Sequence, residues 1–387
     1  MIRAIRTLPR TLWLLGTISL VNDFASDMIY PLVPLYLASV LLAGPKALGL
    51  IEGVAEAASS LLKLFAGVLA DRSGRVRAWV IAGYAMAGFA RPLIGLATSW
   101  LGVLACRFAD RIGKGLRSAP RDALISLSVE PQQRGLAFGF HRAMDNLGAV
   151  IGPLAAAALL ALGVDLRHVF LLSIVPALLV LLLAFKVPEA ERKPTLGKPT
   201  MRWTLAGLPS PFRRYLGVLA LFTLGNSSNM FLLLRANELG AGATRTTLMW
   251  ALFSAVAALL STPLSALSDR CGRANVLALA WFAYALAYLA IGSLPSADWA
   301  LWLAFAGYGV VTAALEGTEK ALVADLVPGE QSGTAFGWYN LVAGLFLLPA
   351  SLLFGWLWSA GSPMLAFGFG AGCAAVAAVL LKVWVQR

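Results

Sequence analysis

The chain alternates between long apolar runs and short polar breaks. Apolar runs lie at about 12–40, 47–70, 78–97, 101–127, 134–161 and 168–186, and they resume at about 214–237, 246–268, 276–294, 299–326, 333–359 and 364–385. A helix needs roughly 20 predominantly apolar residues to cross the hydrocarbon core of a bilayer. Barrel strands would be near ten residues of alternating polarity, and no segment alternates, so the runs predict helices. The expected fold is an all-α membrane protein with twelve transmembrane helices. The stretch 187–213 (VPEAERKPTLGKPTMRWTLAGLPSPFR) is the one long polar, proline-bearing connector. It divides the chain into a six-helix bundle at 1–186, a cytoplasmic linker at 187–213 and a second six-helix bundle at 214–387.

Composition agrees. Apolar residues make up 59% of 387 and charged residues only 13%, against roughly 25% charge in a soluble domain. Dividing the apolar residues by roughly 20 per span gives about eleven to twelve spans. The net charge of +12 does not point to nucleic acid, because the basic residues are scattered between apolar runs and form no soluble basic face. It fits the positive-inside rule instead. With the amino terminus in the cytoplasm, eighteen Lys and Arg flank one side, including Arg72, Arg75, Arg270 and Arg273, against Lys46, Arg167 and Arg245 on the other. Both termini are therefore expected inside. Trp13, Trp79, Trp100, Trp299 and Trp384 near span ends read as interfacial anchors. The amino-terminal MIRAIRTLPR precedes a run that continues through Asp23 and Asp27 with no small-residue cleavage site, so it reads as a first span.

Enzyme chemistry finds no foothold. There is no GxxxxGKS/T, HExxH or GxSxG string, which leaves ATP-driven transport without an engine in this chain. Two histidines and three scattered cysteines (Cys106, Cys271, Cys373) support neither a metal site nor a disulfide framework. The expectation is a protein that is not an enzyme, has no cofactor or metal, and sits in the cell (inner) membrane as a monomer. Its partners are expected to be a small-molecule substrate, protons and lipid.

The two halves repeat. LADRSGRVR at 69–77 recurs as LSDRCGRAN at 267–275, and RGLAFGF at 134–140 recurs as SGTAFGW at 332–338. Both pairs share an offset of 198 residues. Repeats of six spans in parallel orientation are related by an axis along the membrane normal, with substrate sites between them.

These residues resemble the major facilitator superfamily over the whole chain. The string from Gly67 to Arg77, GVLADRSGRVR, is similar to the family's G-x-L-a-D-R-x-G-R loop. The fifth run carries Gly148-x-x-x-Gly152-Pro153, similar to the glycine-proline motif of the superfamily's antiporters, although Ala155 to Ala158 replace the usual glycines. Arg111-Ile-Gly-Lys114-Gly115 is the nearest match to the family's fourth-span arginine motif, with lysine in place of glutamine. The resemblance implies secondary transport by two rocking six-helix bundles, but no cargo. It also implies that Gly67, Asp71, Arg72, Gly74 and Arg75, with the copy Asp269, Arg270 and Arg273, form a conformational latch on the cytoplasmic face.

Charges inside the spans supply the candidate chemistry, because an ionised side chain near the bilayer centre costs several kcal/mol unless paired or hydrated. Asp23 and Asp27 are four apart on one face of the first helix, with Asn22 alongside. The fourth helix carries Arg107, Arg111 and Lys114 on one stripe, and the fifth carries His141 and Asp145. Two readings stand side by side: Asp27 or Asp23, with Arg111, Lys114 and Asp145, forms a water-filled proton-coupling site, or the same groups are a permanent structural ion pair. Glu52 and Glu56 on the second helix, Arg107, His141, Asn22, Asn226, Asn229, Tyr339 and Asn340 are candidates for the substrate cavity. The offset maps Arg121 onto Glu319 and Asp122 onto Lys320 with reversed signs. One reading is a cytoplasmic gate of Arg121, Asp122, Glu316, Glu319 and Lys320; the other is pairing within each half. Proton-coupled efflux of a small organic compound is the leading function. Proton-coupled uptake or exchange of an organic anion is the rival, suggested by Arg91, Arg107, Arg111, Lys114 and Arg117, and a membrane-embedded sensor is the remote alternative.

Overall fold

A computed structural model describes residues 8–73, 75–130, 134–189, 205–327 and 332–385; side chains at 64, 67–72, 134–135, 206 and 332–333 lie outside that description. Helices make up most of the described residues, with no strand among them. Apolar sequence in lipid must satisfy its backbone without water, and a helix does so by hydrogen bonds within the segment. Helices α1 (Arg10–Ile29), α2 (Leu32–Ser39), α3 (Pro45–Ser73), α4 (Val76–Leu93), α5 (Trp100–Leu127), α6 (Arg134–Ala161), α7 (Leu166–Leu172) and α8 (Ile174–Ala184) precede the connector. After it come α9 (Ser210–Gly225), α10 (Met230–Glu238), α11 (Gly242–Cys271), α12 (Arg273–Ser293), α13 (Trp299–Asp325), α14 (Ser332–Ala360) and α15 (Pro363–Leu380). Among the described residues, nine helical stretches are long and apolar enough to cross a membrane. Helix α5 is not one of them, because seven charged residues interrupt it between Arg107 and Asp122.

Three apolar runs that read as continuous are broken. The first breaks at Tyr30–Pro31, where proline has no N–H to give and crowds the preceding turn. The sixth breaks at Ser173, whose hydroxyl turns back to the Phe170 carbonyl at 2.6 Å. The seventh opens at residues 226–229, Asn-Ser-Ser-Asn, residue types whose side chains compete with the helix for backbone groups. With the 198-residue offset, the first and third breaks fall at corresponding positions.

The chain divides into two compact units: Met1–Tyr36 with Ala58–Pro199, and Leu37–Ala57 with Thr200–Arg387. In the first, Leu12, Leu15 and Ile18 of α1 meet Val80 and Tyr84 of α4, Leu124 and Ile125 of α5 and Phe140 of α6 in one buried cluster. Helices α1 and α6 approach closely through the Gly148 and Gly152 pair. A Cβ on Gly148 would lie 2.4 Å from the Leu20 carbonyl oxygen, and one on Gly152 would lie 2.5 Å from that of Phe24. The second unit is held by aromatic rings: Phe222 stacks on Trp281 at 4.6 Å, and Tyr284 stacks on Tyr288 at 4.2 Å.

Candidate functional site

In the first unit, the charged stripe of α5 folds around one carboxylate. Arg91, at the end of α4, donates through Nε to Asp110 Oδ1 at 2.9 Å, and Arg107 Nη1 donates to Asp110 Oδ2 at 3.2 Å. Arg111 Nη1 lies 4.0 Å from the same Oδ2. Arg91 Nη1 also donates to the backbone oxygen and Oδ1 of Asn22, both at 3.1 Å, and Asn22 Nδ2 donates to Asp23 Oδ1 at 2.8 Å. A continuous path of polar contacts thus runs from Asp23 on α1 through Asn22 and Arg91 to Asp110. Arg91, Arg107 and Asp110 are each no more than 2% exposed. Burying such ions costs several kcal/mol apiece, and only mutual pairing with full hydrogen bonding offsets that cost.

A second group lies further along α5 and α6. The Arg117 guanidinium sits 4.7 Å over the Tyr84 ring, a cation–π contact, while its Nε and Nη1 have no hydrogen-bond partner among the described residues. His141 Nδ1 lies 3.4 Å from Asp145 Oδ2, one turn on. Arg121 donates through Nε and Nη2 to Asp122 Oδ1 at 3.1 and 2.9 Å and reaches Ser19 Oγ at 3.4 Å. Asp27 is half-buried one turn after Asp23, and Lys114 is half-buried on α5.

In the second unit, a cavity of about 320 Å³ opens beside the break at residues 226–229. Asn226, Asn229, Glu316, Glu319, Lys320 and Tyr339 all line it, with Phe222, Tyr284, Tyr308 and Thr312. Tyr284 donates to Asn226 Oδ1 at 3.1 Å, and Tyr308 donates to Asn229 Oδ1 at 2.8 Å. Glu319 accepts from Tyr339 OH at 2.8 Å and from Trp281 Nε1 at 3.4 Å. Asn340 is exposed and bonds back to its own helix at the Phe336 carbonyl. Glu52 is buried and accepts from Ser228 Oγ at 3.2 Å, which ties α3 to the same break; Glu56 is half-buried one turn on.

The loop copy at 267–275 is well defined. Gly272 adopts φ +87°, a left-handed conformation that suits glycine, and so ends α11 and starts α12. Arg273 holds Asp269 Oδ1 through Nε and Nη2 at 3.2 and 3.1 Å, and its Nη1 reaches Asp325 Oδ1 and the Ala321 carbonyl, each at 2.7 Å, binding the end of α11 to the end of α13. Arg270 is exposed. In the first copy, the Arg75 N–H donates to Ser73 Oγ at 3.3 Å. Gly74 and the side chains at Gly67, Asp71 and Arg72 lie outside the described residues.

The sequence singled out the arginine stripe but not its focus. Asp110 is one position off the spacing of four shared by Arg107 and Arg111, and Arg91 stands on another helix. The tyrosines at 284 and 308 look like ordinary core aromatics until the fold brings them against Asn226 and Asn229.

The sequence matches the Major Facilitator Superfamily over residues 15–234 and 215–387. It is also 34% identical, over 97% of this chain and 95% of the relative, to an uncharacterized MFS-type transporter of Methanocaldococcus jannaschii. The chain belongs to the major facilitator superfamily. As a member, it is a multi-pass membrane transporter and not an enzyme. The multidrug resistance protein MdtH of Photorhabdus laumondii is 30% identical over 134 residues, covering 34% of this chain and 33% of that protein. The superfamily fold is equally plain in three dimensions. A POT family transporter solved with a thioalcohol-conjugated peptide matches at a TM-score of 0.81 over 99% of both chains, at 15% identity.

Proposed function

We propose that this transporter couples proton movement to the efflux of a small organic compound by alternating access. In this reading it has twelve spans in two parallel halves, 1–186 and 214–387, joined by 187–213, with both termini in the cytoplasm, and it works as a monomer in the inner membrane. The observation that carries the reading is the path from Asp23 through Asn22 and Arg91 to Asp110 among apolar helices. Ionisable groups at membrane depth are costly and mark ion pathways. A carboxyl at the end of such a path, as Asp23 is, exchanges a proton when its surroundings turn from dry to wet, and Asp27, one turn on, is the second acid of the site. The partial likeness to a multidrug resistance protein supports outward transport. Glycines 148 and 152, which seat α6 against the backbone beside Asp23 and Asp27, fit an antiporter. Arg121 pairs with Asp122 in its own half, the second of the two gate readings, and the DRxGR loops form the latch of the cycle.

The rival cargo is an organic anion, and Arg117 is the group that favours it. It is buried, with two nitrogens that have no hydrogen-bond partner among the described residues. Against it, Arg91 and Arg107 are committed to Asp110, and Arg121 to Asp122.

Proteoliposomes loaded with the pH dye pyranine separate these readings. Adding N-methyl-4-phenylpyridinium outside should make the lumen alkaline, as the cation enters in exchange for protons, and Asp27→Asn should abolish the signal. Lumen acidification on adding p-aminohippurate instead would establish anion uptake with protons. Silence with both compounds sinks the proposed coupling.

A further inference from the structure

We infer that the cavity of the second unit is the cargo site and that it takes a small, flat organic monocation, a positively charged nitrogen carried on an aromatic ring. The inference rests on the transporter reading above and adds to it the class of compound carried.

The first support is position. The cavity lies against residues 226–229, where the seventh run leaves the helix. Irregular backbone at membrane depth is tolerated where it is buried in protein or lines a cavity, and interrupted helices at corresponding positions of two repeats point to a transporter's binding site. The offset places the Tyr30–Pro31 break opposite Ser228 and Asn229 in the repeat.

The walls give the shape and the charge. Phe222, Tyr284 and Tyr308 supply aromatic surface. The two tyrosine hydroxyls are fixed on Asn226 and Asn229, so the rings are held in place before any ligand arrives. Aromatic faces attract cations and stack on flat rings. Of the charged side chains lining the space, Glu316 and Glu319 oppose Lys320 alone, which leaves one negative charge in excess. Glu319 is oriented by Tyr339 and Trp281, two neutral donors that leave further lone pairs free to accept. An anion would face the wrong excess charge. A volume of about 320 Å³ falls at the lower end of the range for small-molecule sites.

The test is equilibrium binding, with no gradient imposed, to the full chain in nanodiscs. The probe is tritiated N-methyl-4-phenylpyridinium, challenged by two compounds of the same flat shape, the uncharged 4-phenylpyridine and the anionic biphenyl-4-carboxylate. We expect saturable binding of the cation at least about tenfold tighter than either analogue, weakened about tenfold by Glu319→Gln and less by Tyr308→Leu, consistent with a desolvated cation on carboxylate and ring. Glu316→Gln, at an exposed position with little risk to folding, should also weaken binding. No saturable cation binding, equal or tighter binding of the neutral or anionic analogue, or undiminished binding in both glutamine variants overturns the assignment. A chain that binds the cation but moves no protons would keep this site and lose the coupling, and proton movement without cation binding would do the reverse.

Discussion

Asp110 is one carboxylate within 4.0 Å of three guanidinium groups, at 1% exposure. Its worth is set by what its loss would leave behind. Removing one partner of a buried ion pair strands the other charge and costs about 3–5 kcal/mol, whereas removing both partners is often nearly neutral. We therefore expect Asp110→Asn to lower the thermal unfolding midpoint of the detergent-purified protein strongly, and Asp110→Asn combined with Arg91→Gln to recover part of the loss, since Arg107 and Arg111 still lack their carboxylate. If the double variant is no better than the single one, Asp110 stabilises through packing and not through charge. The residue-scale site was half legible in the sequence. A charge in an apolar run is conspicuous, so Asp23, Arg107 and Arg111 stood out at once. The answer from a second helix was not legible, because Arg91 meets Asp110 across 19 residues of sequence and spacing along one helix carries no record of that.

At the scale of elements, helix positions were legible because a span needs an uninterrupted apolar length and the sequence supplies it. The breaks were not legible, because average apolarity stays high across Tyr30–Pro31 and across residues 226–229, although proline in one and four small polar residues in the other were the available signals. Packing between elements depends on glycine, and two glycines of α6 separate its causes. Gly148 has α1 backbone where a Cβ would go, 2.4 Å from the Leu20 oxygen and 2.9 Å from the Phe24 nitrogen, whereas Gly139 has nothing within 4 Å. Overpacking a close contact costs about 1–3 kcal/mol, and glycine inside an exposed helix is about 1 kcal/mol worse than alanine. Gly148→Ala should therefore destabilise the protein and reduce flux, while Gly139→Ala should leave flux unchanged and raise stability slightly. Opposite signs in one helix, read by thermal unfolding, are the expected result. Equal effects would mean that helix propensity, and not the α1–α6 contact, governs this segment.

At the scale of the whole molecule, the repeat makes a claim about topology that native chemistry can check. Cys271 is exposed at the end of α11, and the 198-residue offset pairs it with Ser73, exposed at the end of α3. Parallel halves put these two positions on the same side of the membrane, whereas halves of inverted topology put them on opposite sides. By the positive-inside rule, the excess of Arg and Lys around both loops predicts that this side faces the cytoplasm. Cys106 and Cys373 lie half-buried within α5 and α15, so replacing both with alanine leaves one accessible thiol. A membrane-impermeant maleimide should label Cys271 in everted vesicles and not in right-side-out vesicles. A Ser73→Cys variant in a background that also carries Cys271→Ala should behave identically. Labelling of the two positions from opposite sides would make the repeat inverted and end the parallel six-plus-six reading. Labelling of both from outside would keep the repeat and reverse the whole protein in the membrane, against the charge asymmetry of its loops.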